Sequence, residues 1–570
     1  MHTSVLLLAR FCKEVGLLHF IGSPGSRSAP ILLALKRIGG LEIDMVMDER
    51  SAAYVALGKS LALQKPVGVF CTSGTAVLNM GPAVAEAFYQ QIPLLLITAD
   101  RPAELIDQHE GQAIRQTNIF SAHTVFSATI PSTENSEESL ILTKRILNEA
   151  WQHLQEPGGG PVHLNIPLRE PLYPGPEEAL DFGAAGAKKI SISEIKSRRK
   201  LERHVLSETL EAWNKANSKL IVAGQLKPDP DLRNALKALS EYGQVPIAGD
   251  FVHNLSGIEG LVQHSDLFPE AFGNRPDFSP EILVTIGKGL ISKNLKKLIN
   301  RKAHREHWHI QEEGKVADPF GSVTRILRAN PEWLLTKLGE GSFFQNRQEE
   351  NPFFKLWMET DKKTSESLYA FSAESDWSDG KAVSMLISCL PEKAVVFPGN
   401  SMPVRYANWF AAHLTTSHVV FANRGTSGID GCLSAAMGIA KQLPGRKVIA
   451  LSGDMGFFYD RNALWRKSIP GNLKIFILNN GGGNIFRIIP GSGQIPELEG
   501  YFEMHQPFTA EYAAKEAGLD YFRAESVGDL SATIPLWENS EKAAILECIT
   551  DRNENAAWVK NLKAWISQKM

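Results

Sequence analysis

Cysteine is scarce in this chain. There are five in 570 residues, at positions 12, 71, 389, 432 and 548, and no two form a C-x-x-C pair. That spacing excludes a disulfide scaffold or a thiolate zinc site and fits buried thiols in a reducing compartment. Charge of one sign is also lacking. The net charge of −3 gives no basic surface for nucleic acid or for an anionic membrane. No uncharged run approaches the length of a membrane span. The first apolar run, Val5–Ala9, is cut by Arg10, too early for a secretory leader, so a cytoplasmic location is expected. Internal repeats, low-complexity tracts and a G-x-G-x-x-G fingerprint are missing too, which argues against a solenoid and against a dinucleotide site. What remains is an ordinary globular composition, 43% hydrophobic and 22% charged, in a chain too long for one core.

The clearest organisation surrounds ALSGDMGFFYDRNALWRKSIPGNLKIFILNNGGGNIF. An apolar run, Val448–Leu451, reads as a buried strand that delivers Asp454. A second, Ile475–Leu478, delivers Asn480 and a string of glycines. Between them there is room for one crossover helix, so the segment predicts a βαβ unit with a carboxylate and an amide at adjacent strand ends. Ligands of open parallel sheets sit beyond those ends. Hard oxygen donors there suit a divalent cation that completes its shell with phosphate and water. An ordinary βαβ unit with an Asn-Gly turn would read the same way locally.

Alternating strand and helix patterns predict three doubly wound α/β domains. In the first, about 1–180, the strands are Leu18–Ile21, Glu42–Met47, Val67–Cys71 and Leu94–Ala99, and three of their ends deliver polar or charged residues to one rim. A Pro, Gly and Ala-rich stretch near 172–200 leads to a central α/β domain, about 200–340, with strands Lys219–Ala223, Val245–Ala248 and Ile282–Ile286. A polar stretch near 339–354 leads to the third domain, about 355–570, which carries the opening motif.

Several constellations lie at the predicted strand ends. Glu49 is expected to close the strand EIDMVM, where it could equally cap the helix that follows. GSPGSRSAP (22–30) offers backbone N–H groups, Ser26 and Arg27 as an anion site. TADRPAELIDQHEGQAIRQ contributes Arg101 and Gln112. GNSMPVR contributes Arg405, and NRGTSGIDG contributes Arg424. Four arginines near strand carboxyl ends suggest substrates with several carboxylates. Gly58-Lys59-Ser60 imitates the end of a P-loop, but Ala53 stands where that motif needs glycine.

GD, then 24 residues, then NN, resembles the thiamine diphosphate motif, with Met455 in place of its usual third glycine. In order along the chain, PGSRS, DERSAAYVALG, TSGTAV, TADRPAELID, QAIRQ, GNSMPVR, NRGTSGIDG and GD…NNGGGNIF resemble one family of thiamine enzymes. It is the family of 2-succinyl-5-enolpyruvyl-6-hydroxy-3-cyclohexene-1-carboxylate synthases of menaquinone biosynthesis. The likeness covers the first and third domains well and the central one weakly. It implies a transferase (carboligase) that decarboxylates 2-oxoglutarate and adds the succinyl-semialdehyde carbanion equivalent in a 1,4 manner to isochorismate. It implies thiamine diphosphate with Mg2+ (or Mn2+) held by Asp454, Asn480 and the carbonyl of Gly482. Glu49 would partner the coenzyme's aminopyrimidine. Ile429 would prop its two rings, and Asn400, Ser401 and Met402 would line it. Ser26, Arg27, Arg101, Gln112, Arg405 and Arg424 would hold the substrates. Ile488 and Ile489 would wall the site, unless they are plain core. Lys293 would reach in from the central domain, although Asn294 replaces the arginine that often follows it. The resemblance further implies a homodimer or homotetramer with its active site between subunits. Another thiamine-dependent 2-oxo acid decarboxylase or carboligase is the nearest alternative, and a non-catalytic protein that keeps the fold is a more distant one.

Overall fold

The computed structural model describes residues 2–131, 136–175, 179–183, 189–195, 197–269, 275–301, 303–340, 351–489 and 491–570. The two predicted linkers, near 172–200 and 339–354, lie partly outside that set.

Three six-stranded parallel sheets follow one another along the chain. The first contains β1 (His19–Gly22), β2 (Glu42–Met45), β3 (Val67–Cys71), β4 (Leu94–Asp100), β5 (Phe126–Thr129) and β6 (Val162–Pro167), in the order β2-β1-β3-β4-β6-β5. The second contains β7 (Lys219–Ala223), β8 (Ile247–Gly249), β9 (Leu261–Val262), β10 (Ile282–Ile286), β11 (Glu306–Ile310) and β12 (Arg325–Leu327), in the order β12-β11-β10-β7-β8-β9. The third contains β13 (Val395–Pro398), β14 (Val419–Val420), β15 (Val448–Gly453), β16 (Leu473–Asn479), β17 (Asp520–Ala524) and β18 (Ala544–Ile549), in the order β14-β13-β15-β16-β18-β17. The fold is therefore α/β with three doubly wound parallel sheets. Strands such as LLLITAD in β4 and LKIFILN in β16 are buried along their whole length, as expected where helices cover both faces of a sheet.

The outer two sheets repeat one strand order, whereas the middle sheet, read from β9, runs 3-2-1-4-5-6. That is the order of dinucleotide-binding folds, though here it lacks their glycine fingerprint. The first and third sheets are joined by a shared apolar core. It runs from Ile21, Val69 and Leu96 through Tyr54 and Leu57 to Ala435, Met437, Ala450 and Ile475. At its centre the helix Glu49–Leu63 crosses the helix Cys432–Gln442 without side chains between them. A methyl at Gly58 would lie 1.9 Å from the Ala435 carbonyl oxygen, and one at Gly438 would lie 2.1 Å from that of Val55. Only glycine permits this approach. Polar ties flank the crossing: Asn462 donates to Asp48 at 2.8 Å, and Arg466 to Asp44 at 2.5 Å.

Candidate functional site

β15 ends at Gly453, and a short helix, Asp454–Tyr459, starts at once. Asp454 is thus held at the strand's carboxyl end, 2% exposed. Burial raises the Asp454 carboxyl to about 6. Its Oδ1 accepts from the Met455 N–H at 2.8 Å, and its Oδ2 accepts from Gln506 Nε2 at 2.8 Å. β16 ends beside β15 and delivers Asn479 and Asn480. After them Gly481 and Gly482 take φ of 75° and 153°. A Cβ at Gly482 would lie 2.5 Å from the Glu503 carbonyl oxygen, so the turn that brings this backbone to Asp454 needs glycine.

These ends open on a cavity of about 280 Å³. Asn400, Ser401, Met402, Ile429, Asp454, Asn480 and Gly482 all line it, so every position predicted to touch the coenzyme in the third domain meets at one point. Ser401 has φ 74°, a left-handed backbone that a serine adopts only under constraint, and it opens the helix Met402–Trp409 at the cavity wall. Arg405 donates back to the Ser401 carbonyl. Asn480 Nδ2 donates to Asp379 Oδ2 at 2.8 Å, whereas Asn480 Oδ1 is buried with no hydrogen-bond partner. An orphaned buried acceptor costs about 1–3 kcal/mol. Beside a carboxylate and a turned glycine backbone, it fits a hard divalent cation carrying a diphosphate. Among the described residues no cluster of three or more His, Cys, Asp or Glu could hold a metal. Oxygen donors line this cavity instead, among them the Asp454 carboxyl and the Asn480 amide, with the Gly482 backbone beside them.

The cavity wall is drawn wholly from residues 379–503, and Glu49 does not contribute to it. β2 stops at Met45, so Glu49 does not close that strand as the sequence suggested. It is the first residue of the helix Glu49–Leu63, and Asp48 caps that helix by accepting from the Arg50 and Ser51 N–H groups. Glu49 is therefore released from capping. Its carboxyl is shifted upward by burial, and it accepts from Asn79 Nδ2 at 3.4 Å.

The predicted anion-binding residues are placed less uniformly. Arg424 donates to Asn400 Oδ1 at 2.7 Å, at the edge of the cavity. Burial lowers the pKa of both Arg405 and Arg424, and at Arg424 the nearby Arg405 charge adds to the effect. Arg424 also lines a second cavity, of about 330 Å³, at the ends of β7 and β10. Arg27 points inward, donating to the Leu168 carbonyl at 2.8 Å and pairing with Glu170 at 3.4 Å, while Ser26 is exposed. Arg101 reaches the Gly111 carbonyl at 2.9 Å, and Gln112 is exposed with φ 55°. Lys293 is exposed at the start of the helix Lys293–Asn300. Lys296, one turn on, is the lysine whose charge faces Arg405 and Arg424. Ile489 is half-buried after the short helix Ile485–Ile488.

Sequence reasoning missed residues that hold this site from behind. Glu86, 1% exposed in the helix Gly81–Gln90, accepts from the Gly425 N–H at 2.6 Å, the Thr426 N–H at 2.7 Å, Thr426 Oγ1 at 2.6 Å and the Ser427 N–H at 3.3 Å. One carboxylate from the first unit thereby shapes the glycine-rich loop of the third. Gln116 bridges the Gly74 N–H, the Ala99 carbonyl and Asn165. Gln506 and Asp379 hold the two motif residues themselves.

Two family models match the chain. Residues 3–119 match the thiamine pyrophosphate enzyme N-terminal TPP binding domain, and residues 405–548 match the C-terminal TPP binding domain. Curated relatives extend the likeness over nearly the whole chain. The chain is 34% identical to a 2-succinyl-5-enolpyruvyl-6-hydroxy-3-cyclohexene-1-carboxylate synthase of Porphyromonas gingivalis, across 99% of this chain and 97% of that protein. It is 35% identical to a synthase of the same name from Cytophaga hutchinsonii, across 97% of each. With the synthase so named from Desulfotalea psychrophila it shares 34% identity across 90% of this chain and 92% of that one.

Proposed function

The chain belongs to the family of 2-succinyl-5-enolpyruvyl-6-hydroxy-3-cyclohexene-1-carboxylate synthases, and on that premise we propose that it decarboxylates 2-oxoglutarate and joins the remaining four-carbon unit to isochorismate by 1,4-addition. One CO2 leaves, one carbon–carbon bond forms, and no external oxidant or reductant is needed. The observation that carries this reading is the convergence of Asn400, Ser401, Met402, Ile429, Asp454, Asn480 and Gly482 on one cavity, where the orphaned amide oxygen of Asn480 suits a cation.

Asp454, Asn480 Oδ1 and the Gly482 carbonyl would hold Mg2+ or Mn2+, which would neutralise the charge of the coenzyme's diphosphate. Thiamine diphosphate, when bound, supplies the carbon nucleophile and the electron sink that decarboxylation requires. The protein's own work is positional and electrostatic. Ile429 and Met402 exclude water from the reacting side of the cavity. Glu49, with its carboxyl shifted upward by burial, holds a proton at the aminopyrimidine ring nitrogen. Because this cavity takes no wall from the first unit of its own chain, Glu49 of a second copy is the one that serves it. That arrangement favours a homodimer or homotetramer. Arg405 and Arg424, close together and partly desolvated, grip substrate carboxylates more strongly than exposed arginines could. Ser26, Arg27, Arg101 and Gln112 of the second copy, with Lys293 from the central domain, complete the acid-binding wall, and Ile489 closes it. For Arg27 this requires exchanging Glu170 for substrate, since that contact is 3.4 Å long and Glu170 is exposed. Domain limits near 180, 200, 340 and 355 and a cytoplasmic location accompany the reading. No helix among the described residues is long and apolar enough to cross a membrane.

The test is direct. Purified protein with thiamine diphosphate and Mg2+ should consume isochorismate absorbance only when 2-oxoglutarate is present, releasing one CO2 per addition. Turnover of pyruvate with no reaction of this acid pair would favour an acetolactate synthase or another 2-oxo acid decarboxylase.

A further inference from the structure

The amide of Asn480 has two ends that differ only in hydrogen-bonding sense, and something must decide which one faces the cavity. Asp379 is placed to do so. It is the first residue of the helix Asp379–Ser388, capped by Ser378, and it is 1% exposed. Its Oδ2 accepts from Asn480 Nδ2 at 2.8 Å, and its Oδ1 accepts from Thr550 Oγ1 at 2.6 Å. The Asp379 N–H donates to Asn555 Oδ1 at 2.7 Å, and Asn555 Nδ2 donates to Thr550 Oγ1 at 3.0 Å. The Thr550 N–H returns to the Asn479 carbonyl at 3.0 Å, next to the residue where the ring began. Three elements thus close a ring of hydrogen bonds around one carboxylate. A carboxylate accepts but does not donate. The Asn480 end that meets it must be Nδ2, and Oδ1, buried and without a hydrogen-bond partner, is the end turned away from Asp379, on a residue that lines the cavity with Asp454 and Gly482.

We propose that Asp379 is the positioning residue of the cation site: it does not bind the ion but locks the Asn480 amide with its oxygen inward. The inference rests on the cation reading above and adds a residue to it. Groups behind a metal ligand orient that ligand, and their loss typically costs 10–100-fold in metal affinity.

The experiment uses the full chain with saturating thiamine diphosphate, titrated with Mn2+, the bound ion being counted by loss of the free Mn2+ electron paramagnetic resonance signal. Asp379→Asn keeps the shape but offers Asn480 a mixed partner that no longer dictates its orientation. Mn2+ affinity should fall about 10–100-fold, while the thermal midpoint of the protein without coenzyme stays within a few degrees of wild type. The double variant Asp379→Asn with Asn480→Asp reverses the polarity of the bond, with the amide at 379 and the carboxylate at 480. It should bind Mn2+ within a few-fold of wild type, although each single change weakens binding. A purely structural role for Asp379 would not give that compensation. If Asp379→Asn does not fold, the double variant is read against Asn480→Asp alone, and the same recovery is required. Losses that simply add, or an Asp379→Asn affinity within twofold of wild type, would overturn the proposal and leave the cation site standing. A wild-type protein that takes up no Mn2+ with the coenzyme would remove the cation reading and this inference together.

Discussion

Replacing Glu86 by Gln changes one oxygen to an amide nitrogen and leaves volume unchanged, yet it should unseat the loop 423–431. The native carboxylate receives the Gly425 and Thr426 N–H groups, the Thr426 hydroxyl and the Gln90 amide, all at 2.5–2.7 Å. Glutamine can keep its oxygen toward Thr426 and Ser427, but its NH2 then faces the Gly425 N–H. Leaving that buried donor unpaired costs about 1–3 kcal/mol, and hydrogen bonds to a charged acceptor are each worth about 1.5–3 kcal/mol before they are weakened to neutral ones. Together a loss of about 3–5 kcal/mol is expected. It should be read from the urea transition that unfolds the first and third units, which share a core. Arg424 and Ile429 both belong to this loop, so KM for the acid substrates should rise and thiamine diphosphate binding should weaken with it. A stability change under about 1 kcal/mol with unchanged KM would refute the reasoning, because the loop would then be held by something other than Glu86.

Glu49→Gln should retain cation and thiamine diphosphate binding but abolish decarboxylation, checked by coenzyme titration beside a CO2-release assay; near-wild-type turnover would remove Glu49 from the mechanism. Asp454→Ala should fail to retain thiamine diphosphate even with added Mg2+, measured as coenzyme that co-purifies with the protein. Acid should weaken the first unit through His163, which is buried against Thr98, Ser127 and Phe120 and has its pKa pushed down to about 4 by burial. The unfolded chain binds this proton near pH 6.5 and the folded one only near 4. Stability from this group is therefore complete above pH 6.5 and is lost as pH falls toward 4. Between pH 7 and pH 5 the loss is about 2 kcal/mol, and His163→Gln should flatten that part of the urea-midpoint profile.

Much of this architecture could be read from the chain. β3, β7, β10 and β16 lie where apolar runs meet glycine or polar residues, because a strand buried on both faces leaves a continuous hydrophobic run. Asp454 and Asn480 were legible because backbone geometry places the ends of adjacent strands together, whereas Asn400, Ser401, Met402, Ile429 and Gly482 were reached through the family resemblance. Glu49 was read one element too early. The strand stops at Met45 because Asp48 caps the next helix, and the apolar Val46 that follows Met45 continued the strand pattern past its end. Glu86 gave no signal at all. On its helix it looks like any acidic surface residue, and the N–H groups it serves come 339–341 residues later. Asp379 depends in the same way on Asn480, Thr550 and Asn555, which only tertiary packing brings near. The middle strand order was equally hidden, since alternation of strand and helix is the same for both windings.

The bare crossing of the helices Glu49–Leu63 and Cys432–Gln442 has a further implication for exchange between relatives. Where two backbones touch, neither surface can drift alone: a methyl gained on one side must be met by a retreat on the other. Transplanting the first unit from another member of the family should therefore succeed only when the opposing helix is carried across with it, so that the two segments are inherited as a matched pair.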